Sequence, residues 1–177
     1  MRNRATAITA LIFLLAISCS EIDKLLTFEI SYDTTFKINP GLPIEVPLDV
    51  SNLEITTNST VKFNNNNTTA DLVKNIRLEE LNLSIDHPSD QTFSFVKSVH
   101  VYISTNDNDE TELAFADNIN TTSNNIDLIC TSQKLDHYIK ASSCKIRTSI
   151  ISRETLTQEV TVKADIKFKV TADPFNN

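Results

Sequence analysis

The sequence predicts an all-β protein: an antiparallel β-sandwich, immunoglobulin-like or related, of about eight or nine strands with one or two short helices. Three observations carry this. Apolar side chains recur at every second position in segment after segment, the period of a strand with one dry face. Helical spacing is confined to residues 134–140, where Leu135, Tyr138 and Ile139 share a face. The breaks between alternating segments hold turn chemistry, Asn39-Pro40-Gly41 and His87-Pro88-Ser89-Asp90 among them. With 177 residues and 40% hydrophobic content, the chain is sized for one domain with its own core.

The elements follow in order. Phe28, Ile30, Tyr32, Thr34, Phe36 and Ile38 put one face of a long strand against the core. Ile44, Val46, Leu48 and Val50 alternate next, and Pro43 and Pro47 lack the amide hydrogen of a central ladder, so this is an edge strand. Leu53 and Ile55, then Val61 and Phe63, continue the strand pattern, and residues 64–69 are a polar loop. Residues 70–75 are expected to form one helical turn. Ile76 and Leu78 hold one parity while Leu81, Leu83 and Ile85 hold the other, which predicts a β-bulge around Glu79-Glu80. Phe93, Phe95, Val99, Val101 and Ile103 share the next face, and Leu113 and Phe115 supply its hairpin partner across the acidic turn 105–112. Ile126, Leu128 and Cys130 form a short strand, Ser132 is the expected helix cap, and Cys144, Ile146, Thr148 and Ile150 alternate again. Val160 to Val170 gives the cleanest alternation, with Lys163, Lys167 and Lys169 on the wet face.

Composition excludes several functions. Sixteen basic against 23 acidic residues, a formal charge of −7, argues against a phosphate-tracking surface, so nucleic acid is not an expected partner. One glycine rules out Gly-rich phosphate loops and the GxSxG nucleophile elbow. His87, His100 and His137 are scattered and no HExxH or CxxC pair occurs, so no metal or other cofactor is expected. Asp107-Asn108-Asp109-Glu110 imitates the opening of a calcium loop, but Glu112 stands at its glycine position, and a solvated hairpin turn is the expectation. Glu79 and Glu80 are adjacent acids, which a strand points to opposite faces. The chain is read as no enzyme.

The N-terminus carries an address. Arg2 and Arg4 precede an apolar run over residues 5–17, too short to cross a bilayer and suited to a signal peptide. The run ends in Leu15-Ala16-Ile17-Ser18-Cys19. This resembles the lipobox of bacterial lipoproteins, with Ala16 where leucine is usual. The resemblance implies removal of residues 1–18, lipidation of Cys19, a tether over residues 19–26, and a sandwich domain over residues 27–177. Glu21 and Asp23 resemble the acidic export signals of Bacteroidota surface lipoproteins, which implies the bacterial outer membrane, on its periplasmic face or the cell surface. Asp33-Thr34-Thr35 matches the O-glycosylation pattern of that phylum, making Thr34 a candidate acceptor. With Cys19 lipidated, Cys130 and Cys144 are left either to form a disulfide or to remain as buried thiols. The resulting expectation is a lipid-anchored, non-catalytic structural or protein-interaction module. Its partners are the membrane, through the lipid, and a protein or surface component. The alternative is a glycan- or small-ligand-binding lipoprotein of an uptake system, which the absence of Trp weakens.

Overall fold

Residues 26–173 fold, in a computed structural model, into two antiparallel sheets packed face to face. The elements are β1 (Thr27–Ile38), β2 (Pro47–Thr56), α1 (Ser59–Asn65), β3 (Val73–His87), a 3₁₀ turn (Phe93–Phe95), β4 (Val96–Ser104), β5 (Thr111–Ala116), β6 (Asn125–Asp127), β7 (Ile129–Cys130), α2 (Asp136–Lys140), β8 (Ser143–Ser152) and β9 (Val160–Ala172). One sheet has the order β1-β9-β3-β6 and the other β2-β8-β4-β5-β7. The chain changes sheet at nearly every step, so sheet neighbours are rarely sequence neighbours. With the two-residue β7 set aside, this is the strand order of a jelly roll, two Greek keys folded into a double sheet. The sandwich is thus of a kind related to the immunoglobulin one, with a different order.

Alternation places the core where the sequence reading expects it. Val160, Val162, Ala164, Ile166, Phe168 and Val170 of β9 are all buried, as are Ile30, Phe36 and Ile38 of β1. The bulge in β3 falls where the parity switches: the register with β9 shifts between Leu78 and Glu80, leaving both Glu79 and Glu80 on the wet side. There they meet Lys169 (3.8 Å) and Lys167 (2.7 Å). β9 lies between β1 and β3, so Lys167 and Lys169 form cross-strand ion pairs, while Lys163 pairs with Asp165 on its own strand (2.6 Å).

Local expectations differ from the structure in several places. Phe93 and Phe95 lie in the 3₁₀ turn ahead of β4 and not on its strand face, and Ile44 and Val46 precede β2, with Ile44 making only an isolated bridge to Ser152. Val61 and Phe63 lie in helix α1, where Phe63 is buried against Phe28 and Val61 faces water. Residues 70–72 are a turn, and β3 already begins at Val73. Leu135, not Ser132, occupies the N-cap of α2, with no side-chain cap; the Ser132 carbonyl instead accepts the Arg77 guanidinium. Ile126, Leu128 and Cys130 do not form one strand: β6 pairs with β3 in one sheet and β7 with β5 in the other.

The registers sort the loops to two ends. Thr27 lies opposite Thr171 and Ile38 opposite Val160, so residues 26 and 173 share one end with α1 and α2, which we term proximal. Loops 39–46, 117–124 and 153–159 gather at the other, distal end, joined by bonds such as Gly41 N–H to the Leu156 carbonyl (2.9 Å) and Ile119 N–H to the Lys97 carbonyl (2.9 Å). Across 12 residues of β1, the two ends stand roughly 35–40 Å apart.

Candidate functional site

The sandwich has two seams where sheet edges meet. At one, the chain passes from β6 to β7 through Leu128, which is buried at 7% exposure and donates its N–H to the Leu81 carbonyl (2.9 Å). Within the first sheet, Asn82 of β3 and Asn125 of β6 exchange amide hydrogen bonds (2.7 and 2.9 Å) and Asn82 also donates to Asp127 (2.6 Å), fixing β6 to its neighbour. That seam is sealed. At the other, the terminal strands β1 and β2 are not paired to each other. Tyr32 donates from its hydroxyl to the Thr57 carbonyl (2.6 Å) across the proximal part, and burial raises the pKa of that phenol.

The distal part of this open seam exposes apolar side chains. Ile44, Val46 and Leu48 are 48%, 50% and 40% exposed, so the alternation that marks them as strand residues does not bury them. The segment folds outward for local reasons. Gly41 takes φ +81°, a left-handed turn that any Cβ would strain. Glu45 takes φ 60°, uncommon for a residue with a side chain, and is held by its N–H to the Ser152 carbonyl (2.8 Å) and by the Lys97 ammonium on its carboxylate. Leu42 is buried just before it, anchoring the loop.

Within β2, an irregularity between Asp49 and Ser51 leaves Val50 unpaired and resets the parity. Val50, Leu53 and Ile55 then lie half-buried along the core side, while Asp49, Asn52 and Glu54 are exposed on the outer side. Asp49 accepts from Arg147 (2.7 Å), whose guanidinium also grips Glu110 in a fork (2.6 and 2.9 Å) and lies 4.1 Å from the Tyr102 ring centroid. Two carboxylates around one guanidinium raise the pKa of Arg147, chiefly through Glu110, and leave a surplus negative charge beside the edge.

Other clusters are structural. Thr105, Asp109 and His137 adjoin like a hydroxyl, acid and base. However, the Thr105 hydroxyl gives its proton to Asp109, and one His137 nitrogen, Nε2, faces both partners (3.1 Å each). Despite some desolvation, bonds from the Thr105 hydroxyl, the Asn106 and Thr105 amides and His137 hold the Asp109 carboxyl down at about 2. Asp109 therefore ties the 105–110 turn to α2, where Tyr138 donates to its carbonyl (2.5 Å). His100 is stacked between Phe115 and Tyr102 on the outer face, with Glu112 at 2.7 Å and Asp117 at 3.3 Å. Among the described residues, no His, Cys, Asp or Glu cluster has a metal-binding arrangement, and no helix is long and apolar enough to cross a membrane. A void of about 10 Å³ lies among Tyr32, Ile55, Cys144 and Phe168, room for one water at most.

The nominated residues fall as follows. Cys19 and the signal segment lie outside the described residues. Thr34 is half-buried on the inward parity of β1, opposite Ala164, whereas its neighbour Thr35 is exposed. Cys130 and Cys144 are free thiols, the second of the two alternatives that the sequence leaves open. They sit on β7 and β8, with β5 and β4 between them. Three strand spacings put them roughly 14 Å apart, twice the Cα reach of a bridge. Burial pushes the Cys144 thiol up to about 11. The edge position that Pro43 and Pro47 indicate holds for β2, which pairs only with β8; the exposure of Ile44, Val46 and Leu48 beside it has no signal in the sequence.

No protein-family model and no curated protein matches the chain. Solved structures with a similar outline include Desmodium yellow mottle tymovirus (10% identity, TM-score 0.29, 85% of this chain and 91% of that one). The decameric BFDV capsid protein (9%, 0.36, 81% and 97%) and turnip yellow mosaic virus (13%, 0.27, 85% and 85%) are others. Likenesses this distant carry no argument about what the chain does.

Proposed function

We propose that the protein is a lipid-anchored, non-catalytic interaction module of the bacterial envelope, which presents the distal half of its open seam to a partner protein. The observation that carries this reading is the exposure of Ile44 and Val46, on a loop fixed by Gly41, Glu45 and Lys97, and of Leu48 at the start of β2. Grouped aliphatics on a rigid, strained support are the signature of a contact surface. A lipid on Cys19 would hold the proximal end, where residue 26 lies, beside the bilayer. The apolar loop would then point outward, roughly 35–40 Å away.

The test has two arms. A clickable palmitate analogue is expected to label the full chain and not its Cys19→Ala variant. A triple variant, Ile44→Ser, Val46→Ser and Leu48→Ser, is expected to melt like the parent yet lose its crosslinked partner in intact cells. An unlabelled parent would remove the anchor, and an unchanged crosslink would remove the contact surface.

A further inference from the structure

We infer that the free edge of β2 accepts an extended segment of a second protein as an added antiparallel strand, and that this segment alternates apolar with lysine or arginine side chains. The inference rests on the proposed interaction role and names the chemistry of the partner. β2 pairs on one side only, with β8, so a row of backbone N–H and C=O groups faces outward along the open seam.

The two sides of β2 dictate what fits. Toward the core, Leu48 is 40% exposed and Val50, Leu53 and Ile55 are only half-buried, because no strand continues the sheet over them. An added strand would cover this row with every second side chain. Toward solvent, Asp49 and Glu54 stand on either side of Asn52. Asp49 shares Arg147 with Glu110, and Glu54 accepts from the Ser143 hydroxyl (2.8 Å) opposite Lys145, whose ammonium lies 3.7 Å from Asp107, so the acids outnumber the cations and the outer row is acidic overall. The remaining side chains of the incoming strand are therefore cationic.

A second copy of this chain fits poorly. A two-fold pairing centred on Asn52, with the irregularity at Val50 kept in each strand, sets Asp49 against Glu54 of the other copy twice, and like charges directly opposite are unfavourable. The chain as a whole carries −7, which disfavours self-association further and favours a basic partner.

The probe is a decapeptide of alternating valine and lysine, the length of β2 (10 residues), added to the full chain in detergent micelles. Controls are its valine–glutamate counterpart and a version N-methylated on alternate backbone amides. The valine–lysine peptide is expected to slow hydrogen exchange at β2 amides, to bind at least about tenfold tighter than either control, and to weaken with salt. Glu54→Lys and Asp49→Lys are expected to lower its affinity and raise that of the glutamate peptide, with the fold checked by circular dichroism. Protection away from β2, equal binding of the N-methylated peptide, or concentration-dependent protection without peptide would each overturn the inference. The serine triple variant reads the interaction role without assuming strand pairing, so failure of strand addition alone leaves that role standing.

Discussion

The two seams of this jelly roll solve the same problem in opposite ways. Both arise where a sheet runs out of strands. At β6–β7 the chain itself crosses between the layers: Leu128 drops into the gap, and Asn82 and Asn125 hold β6 to β3 beside it. At β1–β2 the proximal half is crossed by the bonds from Tyr32 to Thr57 and from Lys62 of α1 to the Ser31 carbonyl (2.8 Å), and the distal half stays open over half-buried Val50 and Leu53. Edges left open invite pairing, and proteins that have no use for pairing seal or charge them. The outer face of β1 is guarded in that way by Glu29, Asp33 and Lys37, all exposed. β2 combines acids with exposed aliphatics, which protects against its own kind but leaves the edge available to a complementary strand.

The contrast predicts unequal costs. Leu128→Ala should lower unfolding free energy by about 2–4 kcal/mol, as for other buried leucines, whereas Leu48→Ala should change it by less than about 0.5 kcal/mol. Urea titrations of both variants measure this, and similar values would erase the distinction between the seams. Tyr32→Phe should cost about 1 kcal/mol, the worth of one part-buried hydrogen bond, because it removes a crossing bond at the open seam.

A smaller effect concerns the proximal end. The folded pKa of Asp109 is depressed from 3.8 to about 2, so its contribution is complete above the ordinary value and is lost as pH falls through about 2. Melting temperature should therefore drop more steeply between pH 4 and 2 in the parent than in Asp109→Asn. Parallel curves would show that the turn does not depend on the ionised carboxylate. The smallest effect is on redox state. Reductant should leave the melting temperature of the folded domain unchanged, and Cys130 should react with a thiol reagent before the more deeply buried Cys144.

The sequence shows what is local and hides what is not. β1, β3 and β9 are legible because five or six alternating apolar positions leave no competing period, and the β3 bulge announces itself as a parity switch at Glu79-Glu80. Helix α1 is hidden because Val61 and Phe63 are two positions apart, a spacing that strand and short helix both allow until burial separates them. The strand order is hidden because partners such as β1 and β9 are more than a hundred residues apart, and alternation says nothing about neighbours. The split of residues 125–130 between two sheets follows from that order, as does the separation of Cys130 from Cys144. The open edge is half legible: the prolines mark an edge, but exposure of Ile44, Val46 and Leu48 depends on the positive φ at Glu45, which no residue type there announces.

One measurement bears most directly on the functional reading of the open seam. A photo-crosslinking amino acid placed at Leu48, and separately at Thr121 in the distal loop 117–124, should be activated in intact cells expressing the full chain. The account predicts a discrete heavier adduct from position 48 and none from position 121. Equal adducts from both positions, or none from position 48, would contradict it.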